Sequence, residues 1–324
     1  MKNMKLIFTI IMMLGFATGL DAMKAGDAGD SKSPKKAGDA GDSKNPKADD
    51  MKKLKMVIND HPANETLIKA LDDDSAEGVV DALNQGVEAD LVVCDDGHVY
   101  PVLCLAAERG KANFVRALVR HKKGASLDTV CGKKKWLAGH FAAKHNRPKV
   151  IQVLAELGYP FNKKSGNDLT PLYVAVENGH ADATRALIEA RADSKIQCGE
   201  LKFDVMHVAA QKNHARLIEI MAREYNIPVD GRDSKEFTPL HVAADYGCYK
   251  AVKALLEYAN ADIFAQTADG KTAIDLAREA KEEAIRNGEQ TAKEIYAKIE
   301  EYLSAEADKL DRGFAVEFGE LDLD

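Results

Sequence analysis

The chain has 324 residues, a net charge of −7, 45% hydrophobic residues and 30% charged ones. That is a globular composition, with room for two ordinary domains or one array of about seven repeats. An acidic balance argues against a nucleic-acid binder, which needs a basic face. Phosphate-loop, zinc-protease, nucleophile-elbow and paired CxxC motifs are all missing, so no catalytic residue, metal ligand or cofactor is expected.

At the start, Lys2 and Lys5 precede the apolar run Leu6 to Phe16, and small residues follow in Ala17-Thr18-Gly19 and at Ala22. This pattern predicts a cleaved export signal over 1–22, and hence a periplasmic or secreted protein. The run falls short of the ~20 residues a membrane span needs, so no stable span is expected. No cysteine lies near the junction, which argues against a lipid-anchored mature end. Residues 23–62 form a low-complexity linker in which Lys24 to Pro34 is copied as Lys36 to Pro46, with Asn45 replacing Ser33. Gly, Asp, Ser, Lys and Pro bury too little apolar surface to offset chain entropy, so disorder is expected. A spacer suits this stretch better than a recognition tail, since no apolar anchor interrupts it.

From about Ala63 the pattern becomes helical and periodic. Thr170-Pro171-Leu172-Tyr173-Val174-Ala175 returns 34 residues later as Asp204-Val205-Met206-His207-Val208-Ala209. It returns again as Thr238-Pro239-Leu240-His241-Val242-Ala243-Ala244, and then as Thr272-Ala273-Ile274-Asp275-Leu276-Ala277. A fixed period in this range means a stacked array of one supersecondary unit. Weaker copies open at Pro101 and Leu137, and Leu67 to Leu71 with Val79 to Leu83 reads as a first capping unit. Seven units result, near 66–97, 99–133, 135–166, 168–200, 202–234, 236–268 and 270–303. Proline suits the first helical turn, where its missing N–H has no partner to lose. Alanine pairs let two short helices approach closely. Gly110, Gly179 and Gly247, with Asn146 and Asn213 in the same slot, supply the left-handed residue that ends each first helix. Apolar residues of the second helices fall at i, i+3 and i+4, a face for the next unit.

These residues resemble the ankyrin repeat family over about 63–304. The opening at Thr238, with Gly247, Leu255-Leu256 and Asn260-Ala261-Asp262, carries nearly the whole signature, and the one at Thr170 is close behind. The resemblance implies an all-α solenoid of about seven helix-turn-helix units with hairpin loops. It implies a non-catalytic module that binds a protein through its concave groove and hairpin tips. His140, His207 and His241 would bond loop backbone across the seams between units, rather than hold a metal. His180 and His214 are read as structural in the same way.

The residue before each opening forms a column: Tyr100, Trp136, Leu169, Phe203, Phe237, then Lys271. In such arrays this position lies at the foot of the hairpin, facing the groove. The alternatives are an exposed ladder of partner anchors, since buried aromatics dominate interface energetics, or packing on the neighbouring unit. On the first reading, changing Trp136, Phe203 and Phe237 together to Ala abolishes capture and leaves melting normal. Lys144, Asp245 and Tyr246 lie beside this column. Lys133-Lys134-Lys135 next to Trp136 makes a basic-aromatic patch, suited to an acidic partner segment or phosphate, or simply a solvated loop. The expected partner is a protein of unknown identity, bound by a monomer, with no role for nucleic acid. A competing expectation is a structural or protective protein that stabilises an enzyme partner without selective groove recognition.

Five cysteines are an odd number without paired spacing, and Cys94, Cys131 and Cys198 fall in loops between units, so free thiols are expected. Cys104 takes the histidine position of its repeat. Asn64-Glu65-Thr66 fits a glycosylation acceptor or a helix cap. Residues 305–324 read as a mobile acidic tail, in which Phe314, Val316 and Phe318 alternate and could dock on the last unit.

Overall fold

The computed structural model describes residues 63–95 and 98–319; the expected signal over 1–22 and linker over 23–62 lie outside the described residues. Unit 1 consists of α1 (Asn64–Asp73) and α2 (Ala76–Asn84). An antiparallel hairpin follows, β1 (Val92–Asp95) on β2 (His98–Pro101), with Val93 opposite Tyr100. Units 2 and 3 are α3 (Val102–Arg109) with α4 (Ala112–Arg120), and α5 (Ala138–Lys144) with α6 (Pro148–Glu156). Unit 4 pairs α7 (Pro171–Glu177) with α8 (Ala181–Glu189). Unit 5 pairs α9 (Val205–Gln211) with α10 (Ala215–Glu219), which widens into a π-helical turn, Ile220–Glu224. Units 6 and 7 are α11 (Pro239–Asp245) with α12 (Tyr249–Ala259), and α13 (Ala273–Arg286) with α14 (Gln290–Gly319).

Local chemistry explains the helix starts. Thr170, Thr238 and Thr272 accept the amide three residues on through their hydroxyls, and Asp204 accepts two amides through its carboxylate. Pro171 and Pro239 occupy the first turn, where no donor is lost. The first helices end on a positive-φ slot that alternates along the array: Asp74, Gly110, Asn146, Gly179, Asn213, Gly247. Where the slot holds Asp or Asn, its side chain caps the second helix of the next unit, accepting from Phe114, Ala183 and Ala251. Where it holds Gly, a Cβ at Gly110 or Gly179 would crowd Arg147 or His214 of the next unit, while at Gly247 it would just touch Tyr296.

First helices pack on first helices (α3 on α5 on α7, α9 on α11 on α13) and second on second (α2 on α4 on α6, α10 on α12). The buried side chains form one continuous strip from Ala63 to Ala307. Each unit thus buries a face that its neighbour supplies. Two backbone staples cross the seams. A donor near the start of each second helix reaches the end of the preceding unit's first helix: Lys111 to the Asp72 carbonyl, Arg147 to Glu108, His180 to Lys144, His214 to Glu177, and Cys248 to Gln211. At the last seam Tyr296 bonds the Asp245 carbonyl. The other staple runs from the histidine column: Nε2 of His140, His207 and His241 lies 2.9, 2.9 and 3.1 Å from the Leu169, Phe237 and Lys271 carbonyls.

Three expectations change. Cys104 and Cys131 form a disulfide across 7.0 Å of Cα separation, not free thiols. The bridge does not join equivalent loop positions of two units. It ties a first helix to the hairpin that leads away from it, at the place where units 3, 5 and 6 use a histidine. Cys198 and Cys248 are free and buried, and the side chain of Cys94 lies outside the described residues. The boundary at 304 falls inside α14, which continues to Gly319 with Ile299, Leu303 and Ala307 buried; residues 320–324 lie outside the described residues. Asn64 stands within α1, 4% exposed, a site with no space for a glycan, and the cap position itself is Ala63.

Candidate protein-binding face

The column before each opening lies at the foot of successive hairpins, as its register predicts, but its side chains are not uniformly exposed. Trp136 and Phe203 are 9% and 4% exposed, whereas Tyr100, Leu169 and Phe237 are half-buried. The reason is intra-unit stacking. Phe203 lies parallel on His207 at 5.3 Å, and Trp136 and Phe237 tilt against His140 and His241 at 5.9 and 5.8 Å. An exposed five-rung apolar ladder is therefore corrected: two rungs are core. Truncating Trp136 and Phe203 opens cavities, so the triple Ala change does not leave melting normal.

Around Trp136 the side chains do converge. Its ring meets Phe141 edge-on at 5.5 Å, and Phe141 meets Tyr100 edge-on at 5.9 Å, so the floor spans units 2 and 3. Its indole N–H donates to Asn167 of the next hairpin at 3.2 Å. Phe141 was missed in the sequence. The signal was there, since Leu105, Val174, Val208 and Val242 fill its place in the other units. The Lys134 and Lys144 ammoniums lie 5.6 and 5.5 Å from the indole centroid. Lys133, Lys134, Lys135 and Lys144 are all exposed. None of them makes an ion pair among the described residues, whereas Lys164 and Lys202 beyond them are drawn to Asp168. The hairpins lie side by side, with the Gly166 amide on the Lys134 carbonyl at 2.8 Å.

The opposite end of the same row is acidic. Asp245 and Tyr246 are exposed at the end of α11, and Asp245 borders a cleft of about 350 Å³ with Glu279, Glu282 and Glu283 of α13. Crowding by surrounding chain, with the Glu283 and Glu279 carboxylates, holds the Asp245 carboxyl above its ordinary range. Near the basic end the reverse holds: burial, then the charges of Lys144, Arg147 and His180, push His145 down to about 4. Trp136 with its lysines and Asp245 with Tyr246 thus form two separate patches of opposite sign. A further cleft of about 610 Å³ lies between α2 and α4, lined by Val80, Asn84, Arg116 and Arg120, away from both.

Among the described residues no group of three or more His, Cys, Asp or Glu is placed to hold a metal ion, and no helix is long and apolar enough to cross a membrane. The histidines of the column sit in different units, each committed to its own seam.

The family model for ankyrin repeats (3 copies) matches in overlapping windows over 67–165, 103–198, 140–233, 172–267 and 206–287, more than half the chain. Similar proteins include tyrosine-protein kinase Shark of Drosophila melanogaster, 30% identical over 149 residues, which are 45% of this chain and 15% of that protein. Ankyrin repeat and SOCS box protein 3 of Homo sapiens is 28% identical over 182 residues, covering 44% of this chain and 34% of that one. The chain thus spans about a third or less of the length of these relatives. Among solved structures, the ankyrin repeat domain of Bcl-3, a member of the IkappaB protein family, superposes with a TM-score of 0.56 at 20% identity. That match covers 67% of this chain and 93% of the other, and bears on the fold. Ankyrin arrays serve as protein–protein interaction modules, ordinarily without catalysis. Period, stacked helix pairs and family match agree: this chain belongs to the ankyrin-repeat family.

Proposed function

We propose that this chain is an exported, non-catalytic binding array that captures a partner protein along the face formed by its first helices and hairpins. The observation that carries the reading is the set of exposed side chains left over from stacking on that face. Lys133, Lys134 and Lys144 surround the Trp136–Phe141 floor, Asp245 and Tyr246 stand exposed at the far end of the row, and no side chain of the five forms a hydrogen bond or ion pair across a seam among the described residues. Export is supported by the pattern over 1–22 and by the Cys104–Cys131 bridge, since disulfides persist in oxidising compartments.

The test uses the purified chain as bait, beside a variant combining Lys134→Glu, Lys144→Glu and Tyr246→Ala, all exposed and so neutral for folding. Capture lost in a variant that melts like the parent supports selective recognition by this face. Undiminished capture favours the structural or protective role instead. Mass spectrometry of the first residue of the mature protein tests export: a start at Leu20 or Met23 is expected, and an intact Met1 overturns it.

A further inference from the structure

Two ammoniums, Lys134 and Lys144, sit over one indole, with Lys133 and Lys135 on the same turn as Lys134, and among the described residues no carboxylate is drawn to any of the four. Lysines outside an ion pair occur elsewhere in this chain of net charge −7, Lys149 and Lys250 among them, but here three follow one another on a single hairpin turn, and one of them shares an indole with Lys144 of the adjoining helix. Like charges held together without a counter-charge repel, and an incoming carboxylate relieves that repulsion. His145, next after Lys144, lies 3.3 Å from the Glu108 carboxylate, yet burial and then the charges of Lys144, Arg147 and His180 hold it mainly neutral.

We infer that the unit 3 hairpin, with Trp136 beneath it, is the docking site for an acidic linear segment of the partner protein, rich in Asp or Glu. The inference rests on the binding-face reading above. An extended segment places alternate side chains about 6.6 Å apart on one side. Successive carboxylates can therefore reach Lys133, Lys134 and Lys144 in turn while their aliphatic stems lie along Tyr100, the half-buried edge of the Tyr100–Phe141–Trp136 floor. An anionic bilayer suits this surface less well. The same face carries Asp245, Glu279, Glu282 and Glu283 at its other end, which such a membrane repels.

Trp136 is the chain's single tryptophan, so its emission reports on this site alone. The experiment titrates the full chain with a deca-glutamate peptide and follows that emission. A saturable change is expected, weakened about tenfold by Lys133→Glu, Lys134→Glu and Lys144→Glu together, and likewise on raising NaCl from ~50 to ~500 mM. Reversing Lys149 and Lys250, on the second helices, leaves it unchanged. If the triple reversal fails to fold, the Lys→Gln triple and the salt dependence decide. Four results overturn the inference: no saturable change, a change indifferent to the three lysines, an equal response to inorganic phosphate, or tighter binding to phosphatidylserine vesicles than to the peptide. Concentration-dependent self-association abolished by deleting residues 306–324 also overturns it, in favour of a second copy. The broader reading is tested apart from it. If partner capture survives the lysine reversal but is lost with Phe237→Ala and Tyr246→Ala, only the acidic-segment inference falls. If capture survives both, the binding face falls as well.

Discussion

A single residue sets the charge of each seam histidine. His140 and His241 accept an amide hydrogen at Nδ1, from Leu137 and Thr238 respectively, so Nε2 must carry the proton it donates to the next carbonyl, and both rings are neutral. His207 instead faces two acceptors, the Asp204 carboxylate at 2.7 Å and the Phe237 carbonyl at 2.9 Å, and needs a proton on each nitrogen. The pKa directions agree. Burial lowers His140 to about 4. Burial also opposes charge on His207, but Asp204 outweighs it and raises the pKa. The pH effects therefore have opposite signs. His140 contributes stability that is present above its unfolded value of 6.5 and lost as pH falls toward 4, at most about 3 kcal/mol. His207 contributes stability that is present below its unfolded value and lost as pH rises through its raised folded value. Asp204→Thr should make His207 resemble His241; in an NMR titration its pKa then falls below the ordinary histidine value, and an unchanged pKa refutes the assignment. Trp136→Ala should cost about 3 kcal/mol or more in urea melts, because a buried ring and its edge-on contact with Phe141 are lost.

Elements were legible wherever punctuation residues repeat. Thr-Pro openings, alanine pairs and the Gly110, Asn146, Gly179, Asn213, Gly247 slot all fall where the helices start and stop. Asp74 holds the same slot in unit 1 but escaped notice, because an acid is unusual at positive φ; its gain is the cap on Phe114. The exposure of the column was not legible. Whether Trp136 or Phe203 faces solvent depends on the ring angle it takes against the following histidine, and a one-dimensional register contains no ring angles. The disulfide is illegible for a related reason. Equivalent loop positions of stacked units do not bridge, and the partner of Cys131 is a first-helix residue at the histidine position. Reducing the bridge should lower stability by about 3.5 kcal/mol, the loop-closure value for a separation near 27 residues. Hydrogen exchange should place the loss at the hairpin of residues 131–136 and spare units 5 to 7. Uniform loss along the chain would contradict a local clamp.

Across the whole molecule the seams act as nearest-neighbour couplings, so stability is expected to propagate from unit to unit. The last seam is closed by α14, whose Ile299 and Leu303 are fully buried and whose Tyr296 bonds the end of α11. Ending the chain before Gln290 strips that cover. It should lower the melting temperature and raise light scattering as α12 and α13 are exposed, while units 2 to 4 keep their protection in hydrogen exchange. Global loss of protection would instead mean a single cooperative core.

Period, helix boundaries and the number of stacked units follow from sequence by itself, because they depend on φ preferences, capping atoms and helical spacing that each segment carries locally. Which column residues are core and which are surface, and which cysteines meet, were decided only by the tertiary structure. Those outcomes depend on distances between residues about 30 apart in the chain, such as His140 and Leu169, and only the stacking of one unit on the next sets such distances.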